Sequence, residues 1–203
     1  MTSDRLWNAN IHYHDLILKA IPEGARRVLD VGCGDGILSA QVARAGVAHV
    51  MGLDLDAGVL ERARARHPEA HIEWVHGDVF TTALETGQFD AVVSVAALHH
   101  MDAQSALMRF ADLVAPEGVL AIVGLAADNW WDLPYESVAL GARKVLGVVH
   151  GYWEHSAPMA WPPPATYSDM KRISSAILPG VRYGRHLLGR YSLIWRKPSL
   201  VRA

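Results

Sequence analysis

The sequence predicts an α/β domain built on a mostly parallel sheet. Three observations predict it. Apolar runs of strand length alternate with stretches whose apolar residues recur at helical spacing. The first apolar run leads into a glycine-rich turn, Gly32-Cys33-Gly34-Asp35-Gly36, and then a helix. The last two runs, 181–187 and 190–196, are joined by Leu188-Gly189, which suits an antiparallel hairpin.

The elements follow in order. Trp7, Ile11, His14, Leu18 and Ile21 fall on one helical face, so residues 7–21 read as a helix that Pro22-Glu23-Gly24 ends. Residues 27–31 form a short buried strand. Residues 37–44 form a helix stopped at Gly46. A strand over 49–53 ends at Asp54, and a helix over 57–66 precedes Pro68. The third strand, 71–75, runs to Gly77-Asp78. The fourth, 89–96, is apolar on both faces, as a central parallel strand should be. A helix over 103–114 meets Pro116-Glu117-Gly118, and a fifth strand spans 119–126. Residues 128–167 then break the pattern with four tryptophans and several prolines, around a candidate helix at 135–149. Helical spacing returns over 168–178, before the final pair of strands.

The chain has 203 residues, 51% of them hydrophobic, which is enough for one sizeable core and too little for two ordinary domains. The net charge of −2 gives no global reason to expect a nucleic-acid partner. Charge is uneven, however. Lys171, Arg172, Arg182, Arg185, Arg190, Arg196, Lys197 and Arg202 occur with no acidic residue between Met170 and the C-terminus. These side chains either solvate one side of the domain or form a docking face for an acidic partner. One cysteine, Cys33, excludes an intramolecular disulfide framework and a cysteine-based zinc site. No secretory signal and no membrane-spanning run is visible, so a cytoplasmic protein is expected.

A strand that ends in Gly-x-Gly-x-Gly before a helix brings backbone close to a ligand, and the helix start offers free N–H groups. Alone, that geometry suits any nucleotide. Three features sharpen it. Asp30, two residues before Gly32, could receive an ammonium and would repel a pyrophosphate. The glycine spacing departs from the dinucleotide fingerprint. Asp54 ends the next strand, where a carboxylate can accept ribose hydroxyls, and Asp78 ends the third, where it can accept from an adenine amine. Leu55 and Val79 would sandwich the ring. Acidic residues are also common at such junctions without any ligand; the joint placement after consecutive strands carries the argument.

At these residues the chain resembles the class I S-adenosylmethionine-dependent methyltransferases. The resemblance rests on Val28 through Gly36, Gly52-Leu53-Asp54-Leu55-Asp56, Gly77-Asp78-Val79, Phe89-Asp90-Ala91-Val92-Val93-Ser94, Ala97-Leu98-His99-His100 and Pro116-Glu117-Gly118-Val119-Leu120. It implies a single domain over 1–203 with a three-layer Rossmann-like fold and a seven-stranded, mostly parallel sheet whose last strand is antiparallel. It implies S-adenosylmethionine as cofactor, held by Asp30, Gly32, Cys33, Gly34, Asp54, Leu55, Asp78, Val79, Val95 and Tyr13. Within the family the chain is most similar to the small-molecule branch, which includes malonyl-carrier-protein O-methyltransferases and quinone C-methyltransferases. The helix 7–21 would close over the cofactor, and the insertion 128–167 would wall the acceptor site.

A sulfonium methyl is already a strong electrophile, so positioning can supply most of the rate. A base is needed only for an acceptor that carries a proton at neutral pH. His99 and His100, just after the fourth strand, are the candidates, with Tyr13 and His14 as a second cluster. Each could instead be a packed or exposed structural residue. No metal is expected, since His12 and His14 do not share a helix face. The expected partner is a small-molecule acceptor, apolar or aromatic if the tryptophans enclose it, with an acidic carrier protein as the alternative. A nicotinamide oxidoreductase and a non-catalytic cofactor-binding protein remain the competing readings.

Overall fold

A computed structural model describes residues 7–68, 71–127 and 163–199. The described strands are β1 (Arg27–Val31), β2 (His49–Asp54), β3 (Ile72–His76), β4 (Phe89–Val95), β5 (Val114–Gly124), β6 (Arg182–His186) and β7 (Arg190–Arg196). They form one seven-stranded sheet in the order β3-β2-β1-β4-β5-β7-β6. The pairings from β3 through β5 are parallel, and β7 runs antiparallel to both β5 and β6. The described helices are α1 (His14–Ala20), α2 (Ile37–Arg44), α3 (Ala57–Arg66), α4 (Ala103–Leu113) and α5 (Tyr167–Ile177).

Strand alternation builds the layers. Leu29, Val92, Leu120 and Ile122 face a core shared with Leu107, Phe110 and Met170 of α4 and α5. Their neighbours Val28, Ala91, Val93 and Ala121 face the opposite core, with Ile17 of α1 and Leu38 and Val42 of α2. Every side chain from Ala91 to Ser94 is buried, whereas none is in the edge strand β3. The strand order turns outward from β1 and β4, the point at which parallel sheets place ligands at their carboxyl ends.

Local chemistry sets the boundaries. The Asp56 carboxylate caps α3 by accepting from the N–H groups of Gly58 and Val59. Asp102 caps α4 through Ser105, and Thr166 and Asp169 form a reciprocal capping box on α5.

Three elements differ from expectation. The N-terminal helix is short. Asn8 turns its amide oxygen onto the N–H groups of Asn10 and Ile11, a local bond that competes with helix, so a 3-10 turn at Ile11–Tyr13 precedes α1. β5 begins at Val114, ahead of the proline, because Val114 pairs with Phe89 before the register shifts. The hairpin loop has three residues, since His186 pairs with Arg190; Leu188 and Gly189 both take left-handed backbone there. The expected helix at 135–149 lies outside the described residues, as does most of the aromatic insertion.

Candidate active site

The carboxyl ends of β3, β2, β1 and β4 open into one cleft of about 690 Å³. Every predicted cofactor residue except Tyr13 lines it: Asp30, Gly32, Cys33, Gly34, Asp54, Leu55, Asp78, Val79 and Val95. His14, His99 and His100 line it as well.

The glycine turn holds its shape for two reasons. Gly32 has φ +70°, and a Cβ there would strike the Ala97 methyl at the exit of β4. Gly34 has φ +54° with open space where a Cβ would stand. Its N–H donates to Asp54 Oδ2 at 2.9 Å. Asp54 Oδ1 accepts from the Asp56 N–H at 3.0 Å. The Asp54 carboxylate is thus oriented by two backbone donors, and each oxygen keeps acceptor capacity.

Asp78 is oriented the same way, its Oδ1 accepting from the Phe80 N–H at 2.9 Å. Around it lie buried Val79 and the exposed apolar side chains Leu55 and Phe80, which flank the cleft mouth. Such exposed apolar groups at a cleft suit a planar ring.

Asp30 is almost fully buried and accepts from Ser39 Oγ at 2.6 Å. Burial raises its carboxyl to about 7, against the Ser39 hydrogen bond and with help from the charge of Asp54. A cation arriving beside it would restore the ionised form. Cys33 is buried, and burial beside three carboxylates pushes its thiol well up, which holds it in the protonated, weakly nucleophilic form.

Four catalytic candidates separate into different places. His99 lines the cleft, and its Nδ1 is buried with no hydrogen-bond partner among the described residues. Burial, then the neighbouring His100, then the charge of Arg190 lower it to about 4, so it is neutral at pH 7. His100 is exposed, with its ring centroid 4.1 Å from that of His99. His14 is buried, its Nδ1 2.7 Å from Gln41 Oε1, and burial lowers it to about 4. Tyr13 is the correction. It is not in the cleft lining: its hydroxyl donates to the Leu187 carbonyl and its ring packs on His186. The 3-10 turn rotates Tyr13 toward the β6–β7 hairpin and leaves Asn8, Asn10, Ile11 and His14 facing the cleft.

Sequence reasoning missed Arg190 and Asn10 as cleft residues, together with the Ser39 partner of Asp30. Arg190 stood only among the basic C-terminal residues. Much of that set is used within the fold. The Arg185 guanidinium lies 4.1 Å over the Tyr167 ring, Arg196 donates to the Glu117 carbonyl, and Lys197 donates to the carbonyls of Ala111 and Val114 at the end of α4. Among the described residues no three His, Cys, Asp or Glu side chains converge to hold a metal ion. No described helix is long and apolar enough to cross a membrane.

Residues 29–122 match the family described as methyltransferase domain. The chain is 44% identical over 196 residues to an uncharacterized methyltransferase of Mycobacterium tuberculosis, covering 96% of this chain and 99% of that protein. It is 33% identical over 187 residues to a ubiquinone biosynthesis O-methyltransferase of Ralstonia nicotianae, covering 88% of this chain and 75% of that one. A solved S-adenosylmethionine-dependent methyltransferase from Mesorhizobium loti shares the fold with a TM-score of 0.59 and 20% identity, over 90% of this chain and 96% of that chain. The chain belongs to the methyltransferase-domain family and is an S-adenosylmethionine-dependent methyltransferase.

Proposed function

We propose that this enzyme methylates a small-molecule acceptor by in-line displacement, with the acceptor entering beside His99. The observation that carries the reading is the single cleft that joins Asp78, Asp54 and Asp30 to His99. Bound cofactor supplies an electrophilic methyl on a sulfonium. The residues fit it. Asp54 would accept from the ribose hydroxyls, Asp78 would accept from the adenine amine, and Leu55, Val79 and Phe80 would hold the ring. Asp30 would take the ammonium of the amino-acid end, which suits a carboxyl raised by burial. Val95 and Gly32 would line the part of the site between these ends.

The exit of β4 borders the same cleft. There His99 is a neutral imidazole with an unpartnered ring nitrogen, able to take a proton from the acceptor. The Ralstonia relative, named an O-methyltransferase of ubiquinone biosynthesis, supports a small oxygen acceptor.

The test is release of S-adenosylhomocysteine from S-adenosylmethionine across a panel of phenols, carboxylic acids and amines, with the methylated product identified by mass. The reading expects at least one small molecule to gain a methyl group. Cofactor binding without turnover on any of them would favour a non-catalytic binding protein.

A further inference from the structure

Two polar side chains of the N-terminal segment are buried in the wall of the cleft, each held at one end and open at the other. Asn8 is 4% exposed and His14 is 6% exposed, and both line the cleft. Asn8 Oδ1 accepts from the N–H groups of Asn10 and Ile11, each at 2.9 Å. Those two bonds fix which end of the amide is oxygen, because a flipped amide would set N–H against N–H. The Asn8 NH2 group is left as a donor with no hydrogen-bond partner among the described residues.

His14 is the complement. Its Nδ1 lies 2.7 Å from Gln41 Oε1. An amide oxygen can only accept, so Nδ1 carries the proton and donates. Burial keeps the ring neutral, against the Gln41 bond and the nearby charge of Asp15. Nε2 therefore keeps a lone pair, with no hydrogen-bond partner among the described residues. Helix α2 anchors His14 through Gln41, just as it anchors Asp30 through Ser39. This common support behind the glycine turn puts His14 with the Asp30 end of the cleft. One wall thus offers a donor on Asn8 and an acceptor on His14, both on uncharged groups. Burying such groups unpaired costs free energy that a ligand of matching pattern would recover.

We propose that Asn8 and His14 clamp the amino-acid end of the cofactor, the Asn8 amide donating to its carboxylate and His14 Nε2 accepting from its ammonium beside Asp30. This rests on the methyltransferase reading above, and it assigns His14 to the cofactor and not to the acceptor's proton. An α-amino acid carries the matching pattern, with an accepting carboxylate and a donating ammonium on one carbon. A pyrophosphate offers acceptors alone and would set oxygen against the Nε2 lone pair. The N-terminal turn then recognises the part of the cofactor that the carboxylates of β2 and β3 do not.

The probes are S-adenosylhomocysteine and 5′-methylthioadenosine. They share the adenosine and the sulfur, and only the first has the amino-acid end. Calorimetry gives the affinity of each for the wild type and two variants. Asn8→Asp keeps an oxygen on the N–H groups of Asn10 and Ile11, so the turn is retained, and puts a carboxylate oxygen in place of the amide donor. It should weaken S-adenosylhomocysteine by about tenfold or more, the scale of one hydrogen bond to a charged group, and leave methylthioadenosine unchanged. His14→Phe keeps a ring, removes Nε2, and should weaken S-adenosylhomocysteine by about tenfold with the same indifference to methylthioadenosine. Equal losses for the two ligands would mean a displaced turn and would overturn the clamp. So would S-adenosylhomocysteine affinity that survives Asn8→Asp, or a His14→Phe enzyme that loses turnover and keeps that affinity. The wild type separates the two levels: if it binds neither ligand, the methyltransferase reading falls; if it binds both and the variants show no difference between them, only the clamp falls.

Discussion

The two halves of the cleft are built from different kinds of information. The half at β3, β2 and β1 presents three carboxylates at or near strand ends, Asp54 and Asp78 fixed by backbone donors of the adjoining loops and Asp30 by Ser39 of α2. The half at β4 and β7 presents two adjacent histidines and an arginine, the arginine positioned by a contact between distant segments. Asn10 and Arg190 are 180 residues apart in sequence and meet through two hydrogen bonds. The difference teaches where a fold stores each task. Holding the nucleoside of a cofactor common to many enzymes needs only strand ends and a glycine turn. Choosing an acceptor uses whatever the N-terminal segment and the last hairpin bring over that frame.

The sharpest way to break the comparison is to remove chemistry from one half and read both. His99→Ala should lower turnover by about 100-fold, the smaller end of what a positioned base supplies, for an acceptor that arrives protonated. S-adenosylhomocysteine affinity should stay nearly unchanged. A matching loss of cofactor affinity would show that the halves are not separable at β4.

The reciprocal change is Asp54→Ala. It should weaken S-adenosylhomocysteine by ~1–3 kcal/mol, the scale of lost charge-assisted hydrogen bonds, as measured by calorimetry. The same variant also frees the Gly34 N–H, so some of the loss will come from a looser turn. Affinity equal to the wild type would refute the ribose assignment.

Asp30 ties the acidic half to pH. Burial holds its carboxyl near 7, above the ordinary 3.8, so the folded protein binds that proton more tightly than the unfolded chain does. The stability this adds to the ligand-free enzyme is full below the ordinary carboxylate range and is lost as pH rises through about 7. Cofactor binding has the opposite sign, because an ammonium needs the ionised form. Affinity should therefore fall on acidification below pH 7, by up to about tenfold per pH unit. Asp30→Asn should flatten that dependence. A pH-independent affinity in the wild type would remove Asp30 from the ammonium site.

The smallest expected effect is a control remote from both halves. Thr166→Ala removes the capping box of α5 and should cost ~1 kcal/mol of stability in a denaturant melt. It should leave cofactor affinity alone. If affinity also falls, α5 is coupled to the cleft through the Ala127–Thr166 bridge.

The same contrast explains what the sequence alone revealed. The sheet was legible because each strand carries its own pattern, from the two-sided apolar run of β4 to the half-exposed β3. The acidic half was legible because Asp30, Asp54 and Asp78 obey a rule local to strand ends. The N-terminal helix was overdrawn because helical spacing at Trp7 and Ile11 is indifferent to the Asn8 side-chain turn that pre-empts it. Tyr13 was misplaced for the same reason. Arg190 was invisible as a site residue. On paper it is one of eight basic residues, and only the hairpin turn and Asn10 bring it to the cleft. Ser39 likewise carries no mark of its bond to Asp30 until α2 packs behind the glycine turn.

The most direct test of the account is calorimetric titration of the enzyme with S-adenosylhomocysteine and, separately, with NADH. One S-adenosylhomocysteine should bind per chain, with no heat of binding from NADH, since Asp30 favours an ammonium and disfavours a pyrophosphate. Binding of NADH without S-adenosylhomocysteine would contradict it.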